Sequence, residues 1–354
     1  MTSSVQRRQR PGHGRPTLLD VADAAGVTRI TVSRFIREPR KVAPETAARI
    51  QVAIQKTGYV PNQQAGHLAS GTSRLVAAMI PNVGHSIFAE TIQGLTEGLR
   101  DSGHELLLFA TGYSMEREEA QLRALLGWAP GALIVTGRHH TAGALRLLRD
   151  AQAAGTPVIE IWDHSSAAEP GASFAQIGFD HLAIGRAMAR HLLDQGHTAL
   201  AYVDSGVAED FRAHERGEGF VAEAVARGAS VKTLRASTGD AFEAGRKVLD
   251  RLVPTKRHAI TAAAFANDHL ACGALMEAQS RGIDVPGNLA LLGFGDFPIG
   301  SQLRPGLSTV RPPRAEIGRA AAASALKSMA KGSEPASLAM SCELIGRGST
   351  LAVR

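Results

Sequence analysis

The feature that most constrains the fold of this chain is a regular alternation of short apolar runs and longer amphipathic segments from residue 75 onwards. The first apolar runs are LVAAMIPN, ELLLFATG, ALIVTG and PVIEIWD. The later ones are AQIGFD, ALAYVDS, VKTLRAS, ITAAAFAN and LALLGFGD. Helical segments separate them, and this rhythm predicts parallel, doubly wound sheets. We expect two such sheets, with PVIEIWD closing the first set of strands and AQIGFD opening the second.

Two sheets in succession predict two lobes that face a cleft. We expect a first lobe from about 75–175 plus 305–333, and a second from about 176–304 plus 334–354. In such sheets, ligands bind beyond the carboxyl ends of the strands. Any single polar residue there is more typical of a helix cap or a loop, but together they indicate a site. These residues are Asn82, Tyr113, Arg138, His139, His140, Glu160, Asp163, Asp180, Asn267, Asp268 and Asp296.

The amino-terminal part of the chain differs from the rest in charge. Residues 1–74 contain 12 Lys and Arg against 4 Asp and Glu, whereas the remaining 280 contain 27 against 29. A basic segment joined to a nearly neutral body indicates a polyanionic partner for that segment. The sequence of residues 1–16 is typical of a disordered basic arm. This arm either contacts DNA phosphates or is a solvated tail.

Residues 17–58 predict three short helices. Thr17 with Asp20 three residues later approximates a capping box, and Gly26 ends the first helix. Thr28 caps the second helix only two residues later, so the two helices must cross steeply, as in a helix-turn-helix. The third helix runs from about Pro44 to Gly58.

The second helix, within GVTRITVSRFIR, has two distinct faces. Its inner face carries Val32, Phe35 and Ile36, with Val27 beside it. Its outer face carries Arg29, Ile30, Ser33, Arg34 and Arg37. An isoleucine between arginines suits a DNA major groove, where apolar side chains meet thymine methyl groups and arginine meets guanine.

The segment TLLDVADAAGVTRITVSRFIREPRKVAPETAARIQVAIQKTGYVPN resembles the DNA-binding headpiece of LacI/GalR-family transcriptional regulators. The resemblance implies a helix-turn-helix DNA-binding domain over 17–62, a hinge over 63–74 and an effector-binding and dimerisation domain over 75–354. The implied fold is this α-helical headpiece, joined by the hinge to an α/β sensor of two doubly wound lobes like a periplasmic binding protein. Ala43 departs from the family pattern, which has a serine cap there.

The same resemblance implies which headpiece residues contact DNA. Base reading falls on Arg29, Ile30 and Arg34, and a leucine wedge in the minor groove falls on Leu68. Phosphate contacts fall on Thr17, Thr28, Thr31, Ser33, Tyr59 and Asn62, whose side chains can all donate to phosphate oxygens.

The resemblance extends over the body. RGEGF and AND place the family's ligand-binding arginine and asparagine on Arg216 and Asn267. The family's two sugar-binding aspartates are Trp162 and Gly295 here, which argues against a neutral pyranoside or a nucleobase ligand. VSRFIREP, FAETIQGL, GYSMEREEAQL, GALIVTGRHHT and IGFD resemble the gluconate-operon repressors, implying gluconate, ketogluconate or a related sugar acid as effector. The expected effector contacts are Phe88, Tyr113, Arg138, Glu160, Asp163, Phe179, Asp180, Arg216, Asn267 and Asp296, with the two arginines holding the carboxylate.

These features predict a homodimeric repressor that a sugar acid releases from a pseudo-palindromic double-stranded operator. The helix after ELLLFATG, around Leu122 and Leu125, is one candidate dimer surface. An alternative is a co-repressor-dependent or activating regulator with a different sugar ligand. From another class, a solute-binding protein or a sugar-acid enzyme is the competing interpretation.

We expect no catalytic residues, because no GxSxG, P-loop, HExxH or CxxC motif occurs. No cofactor or metal site is expected either. The apolar runs are too short for a membrane span and no secretory signal is visible, so we expect a cytoplasmic protein, nucleoid-associated when bound to DNA. Cys272 and Cys342 are then expected to be reduced thiols.

Overall fold

The computed structural model describes residues 16–61, 73–84, 87–165, 174–253 and 260–350. The chain divides between Ser73 and Arg74 into two compact units, and each is described here by itself. The basic arm up to residue 15, most of the hinge, and the contacts expected at Asn62 and Leu68 lie outside the described residues.

The first unit contains three helices in its described part. They are α1 (Leu18–Ala25), α2 (Arg29–Arg37) and α3 (Pro44–Thr57), with a 3-10 turn at Pro39–Lys41. The capping box of Thr17 and Asp20 is present, and Gly26 ends α1 with φ 64°, a backbone conformation that favours glycine. Ala43 precedes α3 without a side-chain cap. The three-helix prediction is therefore confirmed.

Small apolar side chains hold these helices together. The buried core consists of Val21, Ala22, Ala25, Val32, Ile50, Ala53 and Tyr59, and Val27, Phe35 and Ile36 pack against it. The guanidinium of Arg49 on α3 donates to the carbonyls of Ala25 and Gly26, from Nη2 at 2.9 and 3.1 Å. This contact ties the end of α1 to α3 and so fixes the turn that leads into α2.

The second unit contains two α/β lobes. The first lobe is built from β1 (Leu75–Ile80), α4 (Ala89–Leu99), β2 (Glu105–Ala110), α5 (Met115–Leu126), β3 (Ala132–Thr136), α6 (Ala142–Ala153), β4 (Val158–Asp163) and β5 (Ala175–Phe179). The chain returns to this lobe with α12 (Arg314–Lys331) and β11 (Leu338–Ala339). The described strands pair in parallel in the order β11-β5-β4-β3-β1-β2.

The second lobe follows the same plan. Its elements are α7 (His181–Asp194), β6 (Ala199–Asp204), α8 (Phe211–Ala226), β7 (Ser230–Arg235), α9 (Ala241–Leu252), β8 (Ala262–Phe265), α10 (Asp268–Ser280), β9 (Ala290–Phe294), α11 (Pro298–Gln302), β10 (Ser308–Arg311) and β12 (Glu343–Ile345). The strand order is β12-β10-β9-β8-β6-β7, with β12 antiparallel to β10. A helix-turn-helix unit and a second unit of two doubly wound lobes confirm the expected fold class.

The lobe boundaries differ from those expected. AQIGFD was expected to open the second sheet, but β5 pairs with β4 in the first, Asp163 lying opposite Phe179. Likewise β10 belongs to the second sheet and β11 to the first. A buried parallel strand has the same composition in either lobe, so only its pairing decides where it belongs. The chain therefore changes lobe after β5, after β10 and after β11.

Two residues of α5 that marked it as a candidate dimer surface cannot form such a surface. Leu122 and Leu125 are fully buried in the core of the first lobe, where they pack among Ala77, Met79 and Leu133. Buried side chains cannot form a subunit surface. Both cysteines are free, and no described helix is long and apolar enough to cross a membrane.

Candidate DNA-reading helix and ligand cavity

The outer face of α2 presents an exposed isoleucine among cationic side chains. Ile30 is 70% exposed, which is unusual for an isoleucine without a partner. Arg29 and Arg34 are also exposed. Leu18, Thr28, Arg29, Ile30, Ser33 and Arg37 line a shallow concavity on this surface. The surface therefore offers apolar contact and guanidinium donors together, the combination that base edges in a major groove accept.

The other expected DNA contacts occupy different environments. Thr17 and Thr28 are exposed and cap their helices, and the hydroxyls of Thr28 and Thr31 lie 2.9 Å apart. Ser33 is half-buried beside them. The ring of Tyr59 is buried in the headpiece core, so packing accounts for this residue without a phosphate contact.

A cavity of about 110 Å³ lies between the two lobes of the body. The first lobe contributes Asn82, Ile87, Phe88, Tyr113 and Trp162. The second contributes His181, Asp210, Arg212, Arg216, Ala266, Asn267, His269, Phe294 and Phe297. Of the ten expected effector contacts, four line this cavity: Phe88, Tyr113, Arg216 and Asn267.

Arg216 is held firmly at the cavity wall. It is only 4% exposed, and its guanidinium lies on the ring of Phe294, 3.9 Å from the centroid. Nη2 donates to the carbonyl of Ala266 at 2.9 Å, and Nη1 lies 3.0 Å from Nδ1 of His181. Nε has no hydrogen-bond partner. A buried cation with unused donor capacity is suited to an anionic or hydroxylated ligand.

The sequence interpretation missed Arg212, a second cavity arginine. It lies four residues before Arg216 on α8, so both side chains share one helix face. Burial alone would lower the pKa of Arg212, but the charges of Asp163 and Asp210 outweigh it and the pKa is raised. Gly137 makes room for the guanidinium, since a Cβ there would lie 2.6 Å from Nη1. The spacing RAHER was the signal available in the sequence.

The remaining cavity lining combines aromatic rings with polar groups. Phe88 and Trp162 pack edge to face with centroids 5.0 Å apart, and His269 stacks on Phe297 at 4.4 Å. Oδ1 of Asn267 accepts from the backbone of Leu270, which fixes the amide at the start of α10. Burial raises the pKa of Tyr113 above its usual range, so its phenol stays protonated. The cavity lining therefore combines aromatic side chains with polar groups that can form hydrogen bonds.

Three expected effector contacts are engaged away from the cavity. Arg138 Nη2 lies 2.7 Å from Oε1 of Glu215. Asp180 caps α7, accepting from the backbone of Ala183. Asp296 pairs with two further arginines, Arg311 at 2.6 Å and Arg347 at 2.7 Å.

The other three are buried behind the cavity wall. Phe179 packs against Trp162 and Phe294 with centroids 5.9 and 6.3 Å apart. Asp163 is buried beside His181, and neither of its carboxylate oxygens has a hydrogen-bond partner. Glu160 accepts from Gln176 at 2.8 Å. These six side chains surround the cavity walls rather than line them.

A buried histidine lies behind the first-lobe wall. His140 Nδ1 lies 2.5 Å from Glu118 and Nε2 lies 3.5 Å from Glu160. Burial alone would lower its pKa, but the hydrogen bonds and charges of these two carboxylates raise the pKa to about 9.

Over the described ranges, no cluster of His, Cys, Asp and Glu is arranged to hold a metal ion.

Comparisons with known proteins agree with both parts of the chain. The family model described as "Bacterial regulatory proteins, lacI family" matches residues 17–62. The model described as "Periplasmic binding protein-like domain" matches residues 189–350.

Individual relatives match over most of the chain. The HTH-type transcriptional regulator GntR of Pseudomonas aeruginosa is 37% identical over 343 residues, 95% of this chain and 96% of the relative. The regulator of that name from Escherichia coli strain K12 is 32% identical, covering 86% of this chain and 89% of its own. The crystal structure of a LacI-family transcriptional regulator from Silicibacter pomeroyi superposes with a TM-score of 0.86 at 32% identity, covering 95% and 99% of the two chains. The likeness therefore includes the headpiece and both lobes.

Proposed function

Because this chain belongs to the LacI family of DNA-binding transcriptional regulators, we propose that it is a repressor released from its operator by a sugar acid. The family membership confirms the resemblance found in the headpiece sequence. The matched relatives are regulators, so the solute-binding-protein and enzyme interpretations are set aside.

The observation that carries the effector proposal is the pair of guanidinium groups, Arg212 and Arg216, on one wall of the interlobe cavity. Arg216 is buried and Arg212, on the same helix face, is half-buried, so two guanidinium groups at this wall favour an anionic ligand. The amides of Asn82 and Asn267 and the carboxylate of Asp210 supply partners for hydroxyl groups. Gluconate and 2-ketogluconate have this combination of one carboxylate and several hydroxyls.

The expected contacts are revised by this geometry. Arg212 joins Arg216 in holding the carboxylate, while Tyr113, Phe88 and Asn267 keep their proposed contacts. Arg138 is no longer proposed as a ligand contact, because its guanidinium pairs with Glu215.

DNA recognition is proposed to follow the surface of α2. Arg29, Ile30 and Arg34 read base edges, and the threonines at the helix starts contact phosphates. We propose that the chain acts as a homodimer, since a pseudo-palindromic operator calls for a twofold protein. Its place of action would then be the cytoplasm, at the nucleoid.

One titration tests the effector proposal. The full chain is bound to a labelled double-stranded operator selected from random palindromes, and gluconate or 2-ketogluconate is added at fixed salt while anisotropy is followed. Release at sub-millimolar concentration is expected, with calorimetric heat in the absence of DNA. A rise in operator affinity would instead make the ligand a co-repressor, and the absence of both heat and release would overturn the sugar-acid proposal.

The homodimer is tested separately. Sedimentation of the full chain is expected to give about twice the mass of one chain, and each operator is expected to bind two chains. A monomer on a single half-site would overturn this part.

A further inference from the structure

We propose that His181 is a positioning residue that holds Arg216 in its ligand-binding orientation through an unprotonated Nδ1. This inference rests on the proposed function, since it explains how one of the two cavity arginines is oriented. His181 was not among the effector contacts expected from the sequence. It is the first residue of α7, immediately after the chain first crosses between the lobes.

The contact between the two side chains fixes the tautomer of the imidazole. Arg216 Nη1 lies 3.0 Å from His181 Nδ1. A guanidinium can only donate hydrogen bonds, so Nδ1 must accept and the ring proton must be on Nε2. Nε2 then donates to the carbonyl of Trp162 at 3.0 Å. Both ring nitrogens are used only in this tautomer.

Asp163 supports the same proton position. Its Oδ1 lies 3.1 Å from His181 Nε2, while neither of its oxygens has a well-directed donor. A buried carboxylate without a donor favours a hydrogen on the nearest nitrogen, because a lone pair there would repel it. The carboxylate therefore opposes the tautomer that would place the proton between His181 and Arg216.

Burial keeps the imidazole neutral. His181 is 2% exposed, and burial lowers its pKa below the usual value. The hydrogen bond and charge of Asp163 oppose this lowering without overcoming the effect of burial, and the charges of Arg216 and Arg212 add to the lowering in smaller measure. A neutral ring can accept from Arg216, whereas an imidazolium would repel it.

The consequence is that Arg216 is oriented from both lobes. Phe294 and Ala266, both of the second lobe, support its face and its Nη2. His181 supports Nη1 and is itself held by Trp162 and Asp163 at the end of β4 in the first lobe. A shift of one lobe against the other would therefore move the guanidinium.

Two substitutions separate the roles of the two ring nitrogens. In His181→Asn, the amide oxygen can take the place of Nδ1 and accept from Arg216. In His181→Gln, the longer side chain can replace Nε2 but leaves Arg216 Nη1 without its acceptor. Binding of gluconate is measured by calorimetry on the full-length variants, with melting temperature and operator affinity as checks on folding.

We expect His181→Asn to bind gluconate within about threefold of the wild type, and His181→Gln to bind it about ten- to a hundredfold more weakly. Operator affinity without effector should be unchanged in both. Equal affinities of the two variants, when both are folded, would overturn the positioning role. A purely structural histidine would lower the melting temperature without separating the two variants.

A ligand-free measurement tests the contact itself. The ¹⁵N shifts of selectively labelled histidines should show the ring of His181 protonated at Nε2 alone between pH 6 and 8. In Arg216→Ala, the pKa of His181 should rise because a neighbouring cation is removed. An Nδ1-protonated ring or an imidazolium would overturn the inference. If the wild type binds neither sugar acid, the effector proposal fails, while the nitrogen shifts still decide the contact.

Discussion

Arg138 and Glu215 join the two lobes through an ion pair in which Nη2 lies 2.7 Å from Oε1. His139 Nε2 lies 2.9 Å from the same carboxylate oxygen. A second link forms where the backbone N–H of Met115 donates to Glu209 at 2.6 Å. Glu215 directly precedes Arg216 on α8, so this link between lobes lies next to a cavity arginine. These contacts favour the arrangement in which the two lobes enclose the cavity.

We expect Glu215→Gln to weaken gluconate binding by roughly tenfold, because it removes a partly buried charge partner that stabilises the closed lobes. Calorimetry on the full chain measures the change. Glu218→Gln, at an exposed position on the same helix, is the matched control and should leave the affinity unchanged. Equal affinities of the two variants would show that the Arg138–Glu215 pair does not contribute to closure.

Arg212→Gln should raise the gluconate concentration needed for release about ten- to a hundredfold while leaving the unliganded operator affinity within about twofold. The loss follows from removing a guanidinium that lines the cavity, since a charge-assisted hydrogen bond contributes about 1.5–3 kcal/mol. Operator anisotropy with increasing gluconate measures it. If the Arg212→Gln variant were fully released at the gluconate concentrations that release the wild type, Arg216 alone would bind the effector carboxylate.

Arg34→Ala should weaken operator binding by about 1–3 kcal/mol and relax specificity at one base pair of each half-site. Competition between single-base operator variants measures the specificity. Arg37→Ala is the comparison, since the Arg37 side chain folds back towards the carbonyl of Ser33 and is expected to contact phosphate or solvent. It should weaken all sequences alike and reduce the salt dependence. If both variants lost affinity equally for all operator sequences, Arg34 would not read a base directly.

Ile30→Ala should weaken binding by about 1 kcal/mol, the order expected for lost contact with a thymine methyl group. Replacing each operator thymine by uracil, one at a time, identifies the methyl group involved. At that position the uracil operator should bind wild type and variant equally well. Additive losses at every thymine would show that Ile30 contacts no methyl group.

His140 predicts a specific dependence of stability on pH. Its pKa in the folded protein, about 9, lies above the ordinary value of 6.5, so the protonated ring stabilises the folded body fully below about pH 6.5. This contribution, on the order of 3 kcal/mol, is lost as the pH rises through about 9. Melting temperatures between pH 6 and 10 should therefore fall more steeply for the wild type than for His140→Gln. His104→Gln, whose Nδ1 lies 3.1 Å from the carbonyl oxygen of Ser102, is the matched control substitution.

Most of the headpiece could be predicted from sequence because its signals are local. Thr17 and Asp20 bond within one helical turn, Gly26 ends α1 through its own backbone conformation, and the two faces of α2 follow from helical periodicity. Ile30 was expected on the outer face and is exposed there. For the body, the alternation of strands and helices was equally readable, and the strands ended near the cleft as parallel topology requires.

Only the tertiary structure decided which polar residues at those strand ends line the cavity. Arg138 and Asp296 are residue types that often bind ligands, but both form ion pairs instead. Arg138 pairs with Glu215 and Asp296 pairs with Arg347, and both partners are distant in sequence. Arg212 lines the cavity because the packed second lobe places this face of α8 at the cavity wall. Likewise, β5 belongs to the first sheet because it pairs with β4. Caps and periodicities depend on neighbours a few residues away, which the sequence itself specifies. Ion pairs, strand partners and cavity walls depend on contacts between distant segments, and these exist only once the lobes have packed.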